Sequence, residues 1–380
     1  MDGISRTIVV SGYYGFANSG DEAVLHAIVA ALRDEAREAG VALRIVVLSG
    51  DPAETARLHG VEAAHRMRPL ALLGALRRAD ALISGGGSLL QDVTSAKSML
   101  YYLAVLRLAR WLRVPTYIYA QGVGPIRDRV RFGPMIRSAF EACRYVSVRD
   151  EESKALVASF GVAAERIAVV PDPVMGMGLE LARDGAAEVC DDIRSDDAPR
   201  IGVSVRFWRG DRRELDAISD ALAAALQARP DATLALLPFH LPSDKQASDY
   251  VAAKLAAAGV PAARVELHPG AAHPRDMLRA VAGCDALVGM RLHSLIYAAT
   301  AGVPPIAVSY DPKIDQFMRR LGEAPAGDAD SLRPDALTAA VLRTLELGKA
   351  DWYRGKSAQI EEMQQNSRLP AQQIFRGLRI

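Results

Sequence analysis

Arg291 and His293 stand two residues apart in the stretch CDALVGMRLHSLIY, Cys284 to Tyr297. They place a fixed cation beside a group that titrates near neutrality. Ala286 to Val288 is a short apolar run, Gly289 breaks it, and SLIYAAT opens an apolar helical pattern at Ser294. That pattern predicts a strand, a tight turn and a helix start. In an open parallel sheet such a turn lies at the carboxyl ends of the strands, where ligands bind. The free N–H groups of a helix N-terminus add positive potential, so an anion is the natural guest. The plainer alternative is a surface arginine beside a capping histidine, and these residues alone leave it open.

A second candidate lies near the start. Gly12 to Ala23 reads GYYGFANSGDEA, a glycine-rich loop between a strand signal, TIVVS, and a helical pattern. Its spacing is neither the dinucleotide fingerprint nor a phosphate-binding P-loop, so a nucleotide cradle is not supported. Tyr13, Tyr14 and Phe16 offer flat faces of the kind that pack on sugars. Asn18, Asp21 and Glu22 offer hydrogen-bond acceptors, with Ser19 or Asp21 alternatively serving as a helix cap. Four cations stand where strands are expected to end: Arg149, Arg206, Arg291 and Lys313. Singly each reads as a surface charge; together they suggest a shared anion site.

The elements that must position these groups alternate between strand and helix along the chain, which predicts a doubly wound α/β fold. ADALISGGGSLL at Ala79 echoes CDALVGMRLHSL at Cys284, and VPTYIYA at Val114 echoes VPPIAVS at Val303. The echo implies two similar domains of this doubly wound kind with a cleft between them. We expect an N-terminal domain over 1–180 and a C-terminal domain over 200–345. A charged linker falls around Leu181 to Arg200, and a helical segment over 346–380, with Trp352, Tyr353 and Phe375, is expected to pack back on the first domain.

Composition narrows the function classes. The chain has 380 residues, half of them apolar, and a net charge of +1 from 46 basic and 45 acidic side chains. That balance gives no case for nucleic acid. Cys143, Cys190 and Cys284 lie far apart without metal-ligand spacing and read as reduced thiols of a cytoplasmic protein. No apolar run approaches the roughly 20 residues that span a bilayer. Arg107, Arg110 and Arg113, at helical steps beside Trp111, are compatible with peripheral contact at the inner face of the plasma membrane. A solvated helix face gives the same pattern.

GYYGFANSGDEA, ISGGGSLLQD, YAQGVGP, SVRDEES and GMRLHS, in this order, resemble the motifs of the polysaccharide pyruvyl transferases, and specifically their CsaB-type cell-wall branch. The resemblance runs from Thr7 to the helix after Tyr310. It implies two Rossmann-like domains in a GT-B-like arrangement and transfer of a pyruvyl group from phosphoenolpyruvate to two sugar hydroxyls, giving a cyclic ketal. In that branch the sugar is an N-acetylmannosamine of a lipid-linked precursor, and the ketal anchors surface-layer proteins. Carried onto this chain, the match places the donor on Arg206 and Arg291 with the backbone at Leu292, and Arg149 and Lys313 in second rank. His293 becomes the general acid, Asp21 a base, and Tyr14, Phe16 and Asn18 the acceptor contacts. Phosphoenolpyruvate is a substrate, and neither a cofactor nor a metal is implied. The alternatives are a GT-B glycosyltransferase with a nucleotide-sugar donor and a non-catalytic carbohydrate-binding protein on the same fold.

Overall fold

Ile8, Val9 and Val10 have no solvent exposure. A strand buried on both faces reads as a continuous apolar run, and this one lies at the centre of a parallel sheet. The computed structural model describes residues 5–183, 198–270 and 273–378. Residues 184–197, most of the expected linker and Cys190 with it, lie outside that description. Cys143 and Cys284 are buried free thiols.

The chain divides into two units, Met1–Gly176 with Met363–Ile380, and Met177–Glu362. The first holds β1 (Ser5–Tyr14), β2 (Ala42–Ser49), β3 (Glu62–His65), β4 (Ala81–Gly85), β5 (Thr116–Gln121), β6 (Tyr145–Val148) and β7 (Ile167–Val169). Its helices are α1 (Ser19–Glu38), α2 (Pro52–His59), α3 (Pro69–Arg77), α4 (Asp92–Trp111), α5 (Arg129–Glu141) and α6 (Glu151–Ser159). The strands pair in the order β3-β2-β1-β4-β5-β6-β7, all parallel. Leu76, Met99, Leu103, Phe132 and Phe140 pack on Val9, Leu82 and Ile118 to form the core on one face.

The second unit opens with α7 (Met177–Arg183). Its strands are β8 (Arg200–Ser204), β9 (Thr233–Leu236), β10 (Val265–Leu267), β11 (Ala286–Gly289), β12 (Pro305–Ser309) and β13 (Gly327–Asp328). Between them run α8 (Arg213–Ala228), α9 (Ser243–Ala257), α10 (Pro274–Ala282), α11 (Leu292–Thr300) and α12 (Pro312–Arg320), then α13 (Pro334–Leu347). The order β10-β9-β8-β11-β12-β13 repeats that of the first six strands of the first sheet, again all parallel. The two echoed stretches prove to be β4 and β11, which hold the same place in their sheets. In both sheets the direction of winding reverses beside the first strand, between β1 and β4 and between β8 and β11. Ligands of open α/β sheets bind at such points.

The C-terminal segment departs from expectation. α14 (Lys349–Asn366) begins in the second unit, where Trp352 Nε1 donates to Glu323 Oε1 at 3.2 Å and the Tyr353 ring lies against Gly302. Trp352 and Tyr353 therefore belong to the second unit. From Met363 the chain is part of the first, where α15 (Leu369–Gly377) buries Ile374 and Phe375 and Arg368 pairs with Asp34.

Candidate functional site

In the first unit the loop after β1 enters α1 through Asn18, whose side chain accepts from Gly20 N at 3.2 Å and so is the cap. Asn18 Nδ2 also donates to Asp21 Oδ2 at 2.6 Å. Asp21 is thus released from the capping role and faces the glycines after β4; a Cβ on Gly87 would lie 3.0 Å from its carboxyl. Burial of that carboxyl, then the charge of neighbouring Glu22, pushes its pKa up to about 7, while Arg149 opposes the shift. Part of the Asp21 residue reaches solvent, while its carboxyl is packed against Asn18 and Gly87. A carboxyl that titrates near neutrality suits general acid–base work.

Glu22 fixes the loop itself. Its Oε1 accepts from Gly15 N at 2.8 Å, and its Oε2 lies 3.0 Å from Nε2 of buried His59. Gly86 is in the left-handed region at φ +56°, and a Cβ there would collide with Val24 at 1.9 Å, so the turn after β4 accepts only glycine. Past β6, Arg149 is buried among Ser88 Oγ at 2.7 Å, Asp172 at 3.3 Å and Asp150 at 3.6 Å.

In the second unit the carboxyl ends of β8, β9, β11 and β12 gather a different set. Arg291 is the N-cap residue of α11, and no side chain caps that helix. Its Nε donates to Asp244 Oδ2 at 3.0 Å, and its Nη2 to Oδ1. Asp244 is fully buried and also accepts from the His240 backbone N–H at 3.0 Å. Among the described residues, Arg206, after β8, has no carboxylate partner. Its Nη1 donates to the Tyr310 hydroxyl at 2.9 Å, and its guanidinium lies over the rings of Tyr310 and Trp208 at 4.9 and 5.9 Å. Burial and then the charge of Arg291 hold the His240 imidazole below its ordinary pKa; Asp244 opposes this, and Arg206 adds to it. The imidazole is held down first by its burial, and the two arginines beside it add to the effect.

A family model, "Polysaccharide pyruvyl transferase", matches residues 18–312. The chain belongs to the polysaccharide pyruvyl transferase family. The matched span takes in Asn18, Asp21, Arg149, Arg206, Arg291 and His293; Tyr14 and Phe16 precede it and Lys313 follows it. No curated protein sequence is significantly similar to the chain. The fold is that of GT-B-like enzymes. UDP-GlcNAc 2-epimerase from Neisseria meningitidis, solved with UDP-GlcNAc, superposes with a TM-score of 0.66 at 10% identity, covering 98% of this chain and 100% of that one. The S. aureus MnaA–UDP structure gives 0.61 at 10% identity over 97% and 94%. Anabaena Alr3699/HepE with UDP gives 0.61 at 14% identity over 98% and 99%.

The structure sorts the expected site residues of this transferase. Arg206, Arg291, Leu292 and His293 gather in the second unit, and α11 begins at Leu292, so His293 lies in its first turn. Lys313 sits in the first turn of α12, with Nζ 3.8 Å from Asp311, the residue that caps that helix. Arg149 lies in the first unit, among Asp150 and Asp172. Tyr14 is a core residue rather than an acceptor contact. It is 1% exposed, its hydroxyl donates to Gly85 O at 2.9 Å, and a Cβ on Gly12 would lie 2.3 Å from its ring. The exposed pair is Phe16 with Tyr13, stacked at 4.2 Å.

His240, Asp244 and Tyr310 escaped the sequence reading. FHLPSDK reads as a plain loop, and only the placement of β9 beside β8 brings it to Arg291. Among the described residues, no helix is long and apolar enough to cross a membrane.

Proposed function

We propose that the chain moves a pyruvyl group from phosphoenolpyruvate to two hydroxyls of one sugar, forming a cyclic ketal and releasing phosphate. The sugar is an N-acetylmannosamine of a lipid-linked cell-wall precursor, as in the CsaB-type branch that anchors surface-layer proteins. The observation that carries this reading is the second unit's cation pair. Arg206 follows β8 with no carboxylate partner among the described residues, and Arg291, held by buried Asp244, opens a helix that no side chain caps. Such a place suits a small ligand with two anionic groups.

The chemistry assigns each group a task. His293 protonates the methylene carbon of phosphoenolpyruvate, leaving an oxocarbenium-like carbon. Asp21 takes the proton of the attacking acceptor hydroxyl. The C–O bond to phosphate then breaks and re-forms the oxocarbenium-like carbon; the second hydroxyl attacks it, and its proton returns to His293, which gave one up in the first step. The arginines and the Leu292 backbone orient the donor and stabilise departing charge. Lys313 is a further donor contact of lower rank, and Phe16 and Asn18 line the acceptor side.

Phosphate release from phosphoenolpyruvate, assayed with lipid-linked disaccharides, tests the reading. Release that depends on the acceptor, with a pyruvyl ketal in the product, is the expected result. The glycosyltransferase alternative rests on the fold shared with UDP-bound neighbours. Heat stabilisation by a nucleotide sugar, with none by phosphoenolpyruvate, would favour that alternative.

A further inference from the structure

Arg66, just past β3, is a buried cation that the proposed reaction does not use. It is 6% exposed, and among the described residues no carboxylate pairs with it. Burying an unpaired charge is costly, so what surrounds it is informative. Its Nη1 donates to Gly12 O at 3.1 Å and to the Tyr102 hydroxyl at 3.2 Å. The rings of Tyr101, Tyr102 and Phe16 lie 4.3, 5.1 and 5.5 Å from the guanidinium. These contacts hold the cation in place but bring no negative charge. Burial pushes the Tyr102 hydroxyl up to about 12, so it stays neutral at physiological pH.

The surroundings name the guest. Phe16, one ring of the cage, stacks on Tyr13, and both are about 40% exposed, a flat face suited to a sugar. The chain then runs from Arg66 to Met67 and Leu70, which are 65% and 85% exposed. A stacking face, an uncompensated guanidinium and exposed apolar side chains thus follow one another at the carboxyl edge of the first sheet. We infer that Arg66 is the anion subsite of the first unit and takes the phosphate through which the acceptor sugar is joined to an apolar carrier. The inference rests on reading the first unit as the acceptor side.

Pyrophosphate is the probe. Calorimetric affinity for pyrophosphate should fall roughly tenfold or more in Arg66→Gln, as for a lost charge-assisted contact. It should hold in Arg206→Ala, while affinity for phosphoenolpyruvate shows the reverse pattern. Glutamine is shorter than arginine and gives up the bonds that Nη1 makes to Gly12 O and the Tyr102 hydroxyl, so a melting curve first establishes that the variant is folded. A folded Arg66→Gln protein that binds pyrophosphate like wild type overturns the assignment.

If that variant does not fold, wild type decides. Pyrophosphate should protect Arg66 from phenylglyoxal, read by peptide mass. Equal modification with and without pyrophosphate, or none in either case, also overturns it. To separate acceptor-borne from free phosphate, KM is compared for the acceptor with and without its diphosphate. Wild type should prefer the former and Arg66→Gln should not; equal KM values in wild type overturn the acceptor assignment. Should pyrophosphate binding behave as expected while no acceptor supports phosphate release, the subsite stands and the pyruvyl-transfer reading falls.

Discussion

The carboxyl ends of the two sheets share a strand order and differ in charge. Beside β1 and β4 the first unit gathers Asp21, Glu22 and Asp172, with Arg149 enclosed among carboxylates. Beside β8 and β11 the second gathers Arg206, Arg291 and His240, with Asp244 the buried acid among them. In each unit the burden falls on a perturbed titratable group: an acid held up near neutrality in one, an imidazole held down in the other. The winding of a sheet supplies the place, and the loop residues decide what that place attracts.

The largest test of this contrast sets the two arginines of the second unit against each other. Arg291→Ala strands the buried Asp244 carboxylate and should cost roughly 3–5 kcal/mol of stability. Arg206→Ala strands no acid and should fold normally, yet lose about 1.5–3 kcal/mol of phosphoenolpyruvate binding. Chemical denaturation and calorimetry read both. Equal stability losses would mean that Asp244 is not anchoring Arg291.

His293→Gln should bind phosphoenolpyruvate and fold normally while turnover falls by about 10² or more, the scale of a lost proton-transfer group. Reaction in deuterated water should place deuterium in the methyl group of the ketal. Turnover near the wild-type rate in the variant would remove His293 from the acid role.

Asp21 sharpens the comparison from the first unit. Its folded pKa, about 7, lies above the ordinary 3.8, so folding favours the protonated form. The stability linked to this group is complete below pH 3.8 and is lost as pH rises through about 7. Asp21→Asn should therefore stabilise the protein at pH 8, by roughly 2–3 kcal/mol after allowing for partial exposure, and leave it unchanged at pH 3.5. Turnover should fall in the same variant. Melting curves at the two pH values check the first part; a destabilised variant at pH 8 would contradict the raised pKa.

The effect that is smallest per residue concerns the first unit's outer surface. Arg107, Arg110 and Arg113 are all exposed, with Trp111 73% exposed beside them. If this stripe meets anionic lipid, replacing the three arginines by alanine should weaken vesicle binding by about 1 kcal/mol per charge. Equal sedimentation of both proteins with anionic vesicles would leave a solvated helix face.

The sequence by itself determined the central strands, because β1, β4, β8 and β11 are buried on both faces and must be written in continuous apolar runs. It also determined the duplicated plan, through the echo of β4 in β11, and the Arg291–His293 turn, since a strand end and helix start are local signals. Tertiary structure alone decided the edges: EAAH, VEL and GD carry little apolar signal, and β3, β10 and β13 exist because a neighbour's backbone pairs with them. It also decided which aromatic of the first loop is core, since Tyr14 and Phe16 look alike until Gly12 opens space for the Tyr14 ring. Partnership was likewise hidden. Arg149, Arg291 and Arg66 are the same residue type, and only the chain brought alongside each settles its charge balance: a carboxylate cluster, a buried aspartate, or a set of aromatic rings.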